Sequence, residues 1–187
     1  MIGLQCLLSQ IILRAYIIRQ VIKMGIFKDV FKKKENYAMT VSAPAAGYVK
    51  PLEGLKDGVF SERLLGEGCV ISPMEETIYA PFDGRVVLVT ETKHAIGLIS
   101  NDGIELLIHV GLDTVMMAGE GFNMMVEKGE SVKQGDRLMS FSTAKIKAAG
   151  YLDDVIVIVS NTKCFQGVAC TQKEVVEASD ELIRIMK

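Results

Sequence analysis

Histidine is scarce and tryptophan is missing: the chain of 187 residues holds two of the first and none of the second. With so few imidazoles, a metal centre built from histidine alone is excluded, because three protein ligands are the usual minimum. Cysteine is also sparse. Cys6, Cys69, Cys164 and Cys170 form neither a C-x-x-C pair nor a dense framework, which argues for reduced, spectator thiols in a cytosolic protein. Neither sign of charge is in excess, with Lys plus Arg at 21 against 23 for Asp plus Glu, so nothing global argues for nucleic acid. A long apolar run is absent too. The apolar stretch 1–23 is interrupted by Gln5, Gln10, Arg14, Arg19 and Gln20, and its late positive charge suits neither a membrane span nor a secretory signal.

What the chain does have is concentrated around its two histidines. In KHAIGLISNDGIELLIHV, two half-apolar runs flank Asn101-Asp102-Gly103, a strong hairpin signal. A two-residue loop at Asp102-Gly103 would set His109 opposite Ile96. His94, two residues before Ile96, would then share that face and approach His109 diagonally, with the rings about 5–8 Å apart. A three-residue loop would instead send the rings to opposite faces unless a bulge intervened. In the first register Leu107, Ile96 and Leu98 surround His109, and Thr92 brings its hydroxyl to His94.

Paired imidazoles in an apolar rim suit one kind of chemistry. Neutral imidazole is nucleophilic near pH 7, so one ring can attack a phosphoryl group while the other donates a hydrogen bond to its oxygens. An uncharged, greasy rim suits docking of another protein better than capture of a small polar substrate. Against this stands the simpler reading that each histidine is merely packed.

The strings ETKHAIGLISNDGIELLIHVGLDTVMMAGEGF, APFDGRVV and VEKGESVKQGDRL resemble the glucose-type enzyme IIA component of the bacterial sugar phosphotransferase system, from about Met24 to the C-terminus. The resemblance implies that His109 is the residue phosphorylated and that His94 and Thr92 support it. It also implies an acidic neighbour in Asp113 and a partner-docking rim that includes Val115, Val59, Phe60, Leu64 and Leu65. Thr90 and Ile96 stand where relatives often carry an aromatic residue, and Met116-Met117 replaces a more polar pair. The implied partners are the phosphocarrier protein HPr and the IIB domain of a sugar permease, with no resident cofactor. Relatives also act as phosphorylation-dependent regulatory binding modules, which is the alternative function.

Because the resemblance begins at Met24, residues 1–23 are expected to be an upstream extension. Residues 24–40 would be a basic amphipathic arm and linker. Within it, Ile26, Phe27, Val30 and Phe31 at helical spacing among Lys28 and Lys32–Lys34 could rest on an anionic membrane surface. From residue 41 to 187 short apolar runs are punctuated by Gly, Pro, Asp and Asn, and Ala43–Val49 echoes Ala80–Val86 with Pro before and Gly within each copy. The expected fold is all-β: two antiparallel sheets face to face or a flattened barrel, with a duplicated hybrid motif like that of biotinyl and lipoyl domains. Helical turns are expected only near 113–115 and 144–149.

Two rivals share that fold. A biotinyl or lipoyl carrier needs an exposed lysine in a string like Met-Lys-Met, which does not occur. A zinc peptidase would have to manage with His94, His109 and one carboxylate; the same pair could also bind zinc with a carboxylate lent by a partner.

Overall fold

The structure, a computed structural model, describes residues 39–187. The expected upstream extension and most of the arm and linker lie outside the described residues. The strands are β1 (Met39–Ser42), β2 (Gly47–Lys50), β3 (Glu67–Pro73), β4 (Thr77–Tyr79), β5 (Gly84–Val89), β6 (Ala95–Ser100), β7 (Glu105–Val110), β8 (Phe122–Met124), β9 (Ser131–Val132), β10 (Arg137–Phe141), β11 (Val155–Val159), β12 (Gly167–Cys170), β13 (Val175–Val176) and β14 (Glu181–Met186). One short helix, α1 (Thr143–Ala148), is capped by Ser142, whose side chain accepts from the Lys145 amide. A 3-10 turn at Thr114–Met117 follows β7. Among the described residues no helix is long and apolar enough to cross a membrane.

All the strand pairs are antiparallel. An eight-stranded sheet of order β13-β2-β3-β11-β7-β6-β5-β9 packs against two three-stranded sheets, β1-β14-β12 and β4-β10-β8, giving the expected all-β sandwich. At its centre β11, Val-Ile-Val-Ile-Val, is buried on both faces, as suits β-branched residues between two neighbouring strands. Its odd residues Val155, Val157 and Val159 join the core between the sheets. Ile156 and Ile158 point the other way and join a second, smaller cluster under the segment 52–65.

The sequence echo has a structural counterpart. Gly47 opens β2 and Gly84 opens β5, and each pairs with an antiparallel neighbour, Gly47 with Pro73 and Gly84 with Ser100. The residue just before each copy also bonds to the proline of the other, Ser42 N to Pro81 O at 3.1 Å and Tyr79 N to Pro44 O at 2.8 Å. At both glycines an added Cβ would collide with a backbone carbonyl of the neighbouring strand, that of Ser72 or that of Ile99. Backbone cannot swing aside as a side chain can. Gly84→Ala is therefore expected to destabilise the fold by about 1–3 kcal/mol, read as a lower urea midpoint at unchanged slope.

Candidate functional site

The outer face of the eight-stranded sheet carries the second apolar cluster: Leu52, Phe60, Leu65, Val70, Ala95, Leu107, Ile156 and Ile158, with Leu55, Val59 and Leu112 packed at its edge. His109 is on this face. It sits in β7 opposite Ile156 of β11 on one side and Ala95 of β6 on the other, and alternation aligns it with Leu107. The ring of Phe60 meets it edge-on, centroids 5.2 Å apart and planes at 60°.

The hairpin register differs from the two-residue expectation. Ser100 N donates to Ile104 O (2.9 Å) and Gly103 N to Ser100 O (3.0 Å), so the loop is Asn101-Asp102-Gly103, with Gly103 left-handed at φ 87°. His109 consequently faces Ala95, and Ile96 faces Ile108. Ile96 and Leu98 are fully buried between the sheets, so Ile96 does not line the rim proposed for it. One residue of slip transfers a whole strand's side chains to the other face, which is why Ile96 and Leu98 turn inward.

By alternation alone, that register would also put His94 on the wrong side. His94 is instead outside β6, following Lys93 in the left-handed region at φ 56°, and its carbonyl accepts from Val110 N at 2.8 Å. This break returns its ring to the outer face. The two imidazoles lie 4.7 Å apart, centroid to centroid, with planes at 77°. Both are almost sealed, at 1% and 3% exposure.

Thr92 Oγ1 stands 2.6 Å from His94 Nδ1. On the far side of that ring His94 Nε2 is buried without a hydrogen-bond partner, as is His109 Nδ1. Burial pushes His94 down to about 2, with the neighbouring His109 adding to the effect. Burial likewise pushes His109 down to about 4, opposed by the backbone of Gly111 and the carboxylate of Asp57. Both rings are therefore neutral near pH 7.

This has a consequence for stability. As pH falls from 7, the unfolded chain takes up imidazole protons near the free value of 6.5, whereas the folded chain resists until well below it. Stability is therefore intact above about pH 6.5 and declines as the pH drops toward 4. For His109 alone the decline by pH 4.5 is about 2–3 kcal/mol. Urea melts at pH 7 and 4.5 should show a smaller loss for His109→Gln than for the wild type.

The other residues expected here are distributed as follows. Val59 is half-buried, Phe60 and Leu65 are buried against the cluster, and Leu64 is 62% exposed. Asp113, left-handed at φ 59°, precedes the 3-10 turn that carries half-buried Val115, and Thr114 anchors that turn by donating to Val110 O at 2.6 Å. Asp57 was not singled out from sequence. Its carboxylate accepts from the amides of Phe60 (3.0 Å) and Ser61 (2.9 Å), fixing the turn that aims Phe60 at His109. Burial opposes its charge, but the amides of Ser61 and Phe60 outweigh that and hold the carboxyl below the usual range. An Asp whose carboxylate accepts from amides a few residues on closes a local turn, and the D-G-V-F-S string carries that signal. Among the described residues no group of three His, Cys, Asp or Glu side chains could hold a metal ion, so the imidazole pair has no third ligand there.

Comparison with known proteins identifies the family. Residues 39–165 match the family model described as phosphoenolpyruvate-dependent sugar phosphotransferase system, EIIA 1. The solved structure of the glucose permease IIA from Mycoplasma capricolum is 32% identical, with a TM-score of 0.71 over 82% of this chain and 99% of that one. The chain belongs to the glucose-type enzyme IIA family of the phosphoenolpyruvate-dependent sugar phosphotransferase system, and its work is to carry phosphoryl groups in sugar uptake.

Proposed function

We propose that His109 is the phosphoryl acceptor, that His94 is its hydrogen-bonding partner and that Thr92 fixes the tautomer of His94. The observation that carries this reading is the imidazole pair itself, 4.7 Å apart on the outer face beside an apolar cluster. His109 Nδ1 is sealed, so Nε2 is the nitrogen left to meet a donor. Its lone pair attacks the phosphorus of phospho-HPr in line; the new N–P bond forms as the bond to the donor histidine breaks. A cysteine thiolate of a sugar-specific IIB domain then attacks the same phosphorus, and the electron pair returns to His109. A donated hydrogen bond from Thr92 to His94 Nδ1 leaves the ring hydrogen on Nε2, where it can meet a phosphoryl oxygen.

No Arg or Lys is hydrogen-bonded to either ring among the described residues, and this suits a relay. A phosphoryl group clamped by guanidinium would be held too firmly to leave. Docking falls to Val59, Phe60, Leu64 and Leu65 together with Asp113 and Val115 of the turn that follows β7, apolar side chains with one acidic neighbour. Both partners must be met from the cytoplasmic side, and the basic segment 25–34 would hold the carrier near the permease. The test is to mix the protein with labelled phospho-HPr and map the label. Acid-labile, base-stable label should appear on the peptide that contains His109; label on any other peptide refutes the assignment.

A further inference from the structure

We infer that Thr90 is a positioning residue for the relay: its hydroxyl latches the turn that takes His94 out of strand alternation and sets it over His109. The inference rests on the proposed role of His94. If β6 simply continued one residue beyond Ala95, His94 would fall on the inter-sheet side with Ile96 and Leu98. The chain escapes this by a tight turn from Thr90 to Ala95, and Thr90 supplies most of its closure. Thr90 N donates to Ala95 O at 3.1 Å and Lys93 N donates to Thr90 O at 2.9 Å. The hydroxyl adds two more bonds. It donates to Ala95 O at 3.2 Å and accepts from Ala95 N at 3.1 Å.

The same hydroxyl oxygen stands 3.4 Å from His94 Nδ1, farther than that of Thr92 at 2.6 Å. A hydroxyl has one hydrogen to give. With the Thr90 hydrogen given to Ala95 O, Thr92 is the hydroxyl left to donate to Nδ1, and the ring hydrogen stays on Nε2. Thr90 thus fixes where the ring is, and Thr92 fixes how it is protonated. The left-handed Lys93 at φ 56° shows that the turn is held against a backbone preference, which a latch of several bonds can sustain.

The test compares three full-length variants: Thr90→Val, which keeps the shape and removes the hydroxyl; Thr90→Ala, which also removes the γ-methyl; and Thr90→Ser, which keeps the hydroxyl. Two quantities are read, the NMR cross-peak between the ring protons of His94 and His109, and the rate of onward transfer to IIB. The chain has only two histidines, so assignment is direct. Thr90→Val and Thr90→Ala should weaken the inter-ring cross-peak and slow onward transfer about tenfold, with end-point acceptance from phospho-HPr complete. Thr90→Ser should keep both within about twofold. The inference is overturned if both hydroxyl-free variants retain the cross-peak and the rate, or if the serine variant fails as they do. Should one of them not fold, the other still decides. Label on His109→Gln would instead sink the relay reading, and the cross-peak comparison would still judge the latch on its own.

Discussion

Replacing His109 with glutamine is expected to leave a folded carrier that takes no phosphoryl group from phospho-HPr, a fall from about one group per chain to background. The glutamine amide has no nucleophilic lone pair to offer, since its nitrogen electrons are delocalised into the carbonyl. Among the described residues no other nucleophile is placed to substitute. His94 is 1% exposed, its Nδ1 is engaged by Thr92 and its Nε2 carries the ring hydrogen, so neither nitrogen offers a free lone pair. The described thiols offer no route either: Cys69 is buried, and Cys164 and Cys170 lie outside the cluster that surrounds His109. Stoichiometry of radiolabel after exhaustive incubation checks the prediction, with circular dichroism to confirm folding. A variant that still becomes labelled would mean that the acceptor has been misassigned.

His94→Gln should separate the two halves of the relay. Given excess phospho-HPr and time, it should still reach full label, because His109 keeps its lone pair and the donor brings its own groups to the transfer. Handing the group on is a different matter. Beside the reacting ring, among the described residues, stands the imidazole of His94, centroids 4.7 Å apart, in a setting that burial has nearly closed to water. Losing one preorganised donor to a developing charge in such a site costs about 10²-fold in rate. The glutamine amide can carry N–H groups, but it lacks the rigid ring that Thr92 holds in one orientation. Single-turnover chase from the labelled carrier to IIB measures this directly. Equal chase rates for His94→Gln and wild type would remove His94 from the mechanism.

Much of this architecture was legible in the chain because it depends on short-range rules. The apolar run Val86–Val89 lies in β5, the runs Ile104–Val110 and Val155–Ser160 match β7 and β11 to within one residue, and the glycines of the echoed motif lie where two strands approach too closely for a Cβ. The expected helical turns are present as Thr114–Met117 and α1. The hairpin was read in the wrong register for an identifiable reason. Asn101-Asp102-Gly103 satisfies a two-residue loop with Asp-Gly at its tip and equally a three-residue loop with a left-handed glycine at its end. Local chemistry does not choose between them. The choice is made by the core, which in the observed register receives Ile96, Leu98, Leu106 and Ile108 from β6 and β7 together.

The convergence of the imidazoles was therefore expected for one reason and achieved by another. Strand alternation was to bring them together; in the structure alternation would part them, and the turn at Lys93 restores the pair. Asp57 shows the complementary gap. Its capping pattern is local, but its influence on His109 depends on the segment 52–65 folding back over the outer face of the sheet.

Residue types and their spacing along the chain thus settled the strand content, the glycine-bearing repeat and the restriction of imidazole chemistry to two positions, because those follow from backbone sterics and from composition. Which face each side chain took, how deeply the rings were buried and hence that both stay neutral at pH 7 were decided only when distant strands packed. Desolvation and register are properties of the assembled sheets, and no window of neighbouring residues contains them.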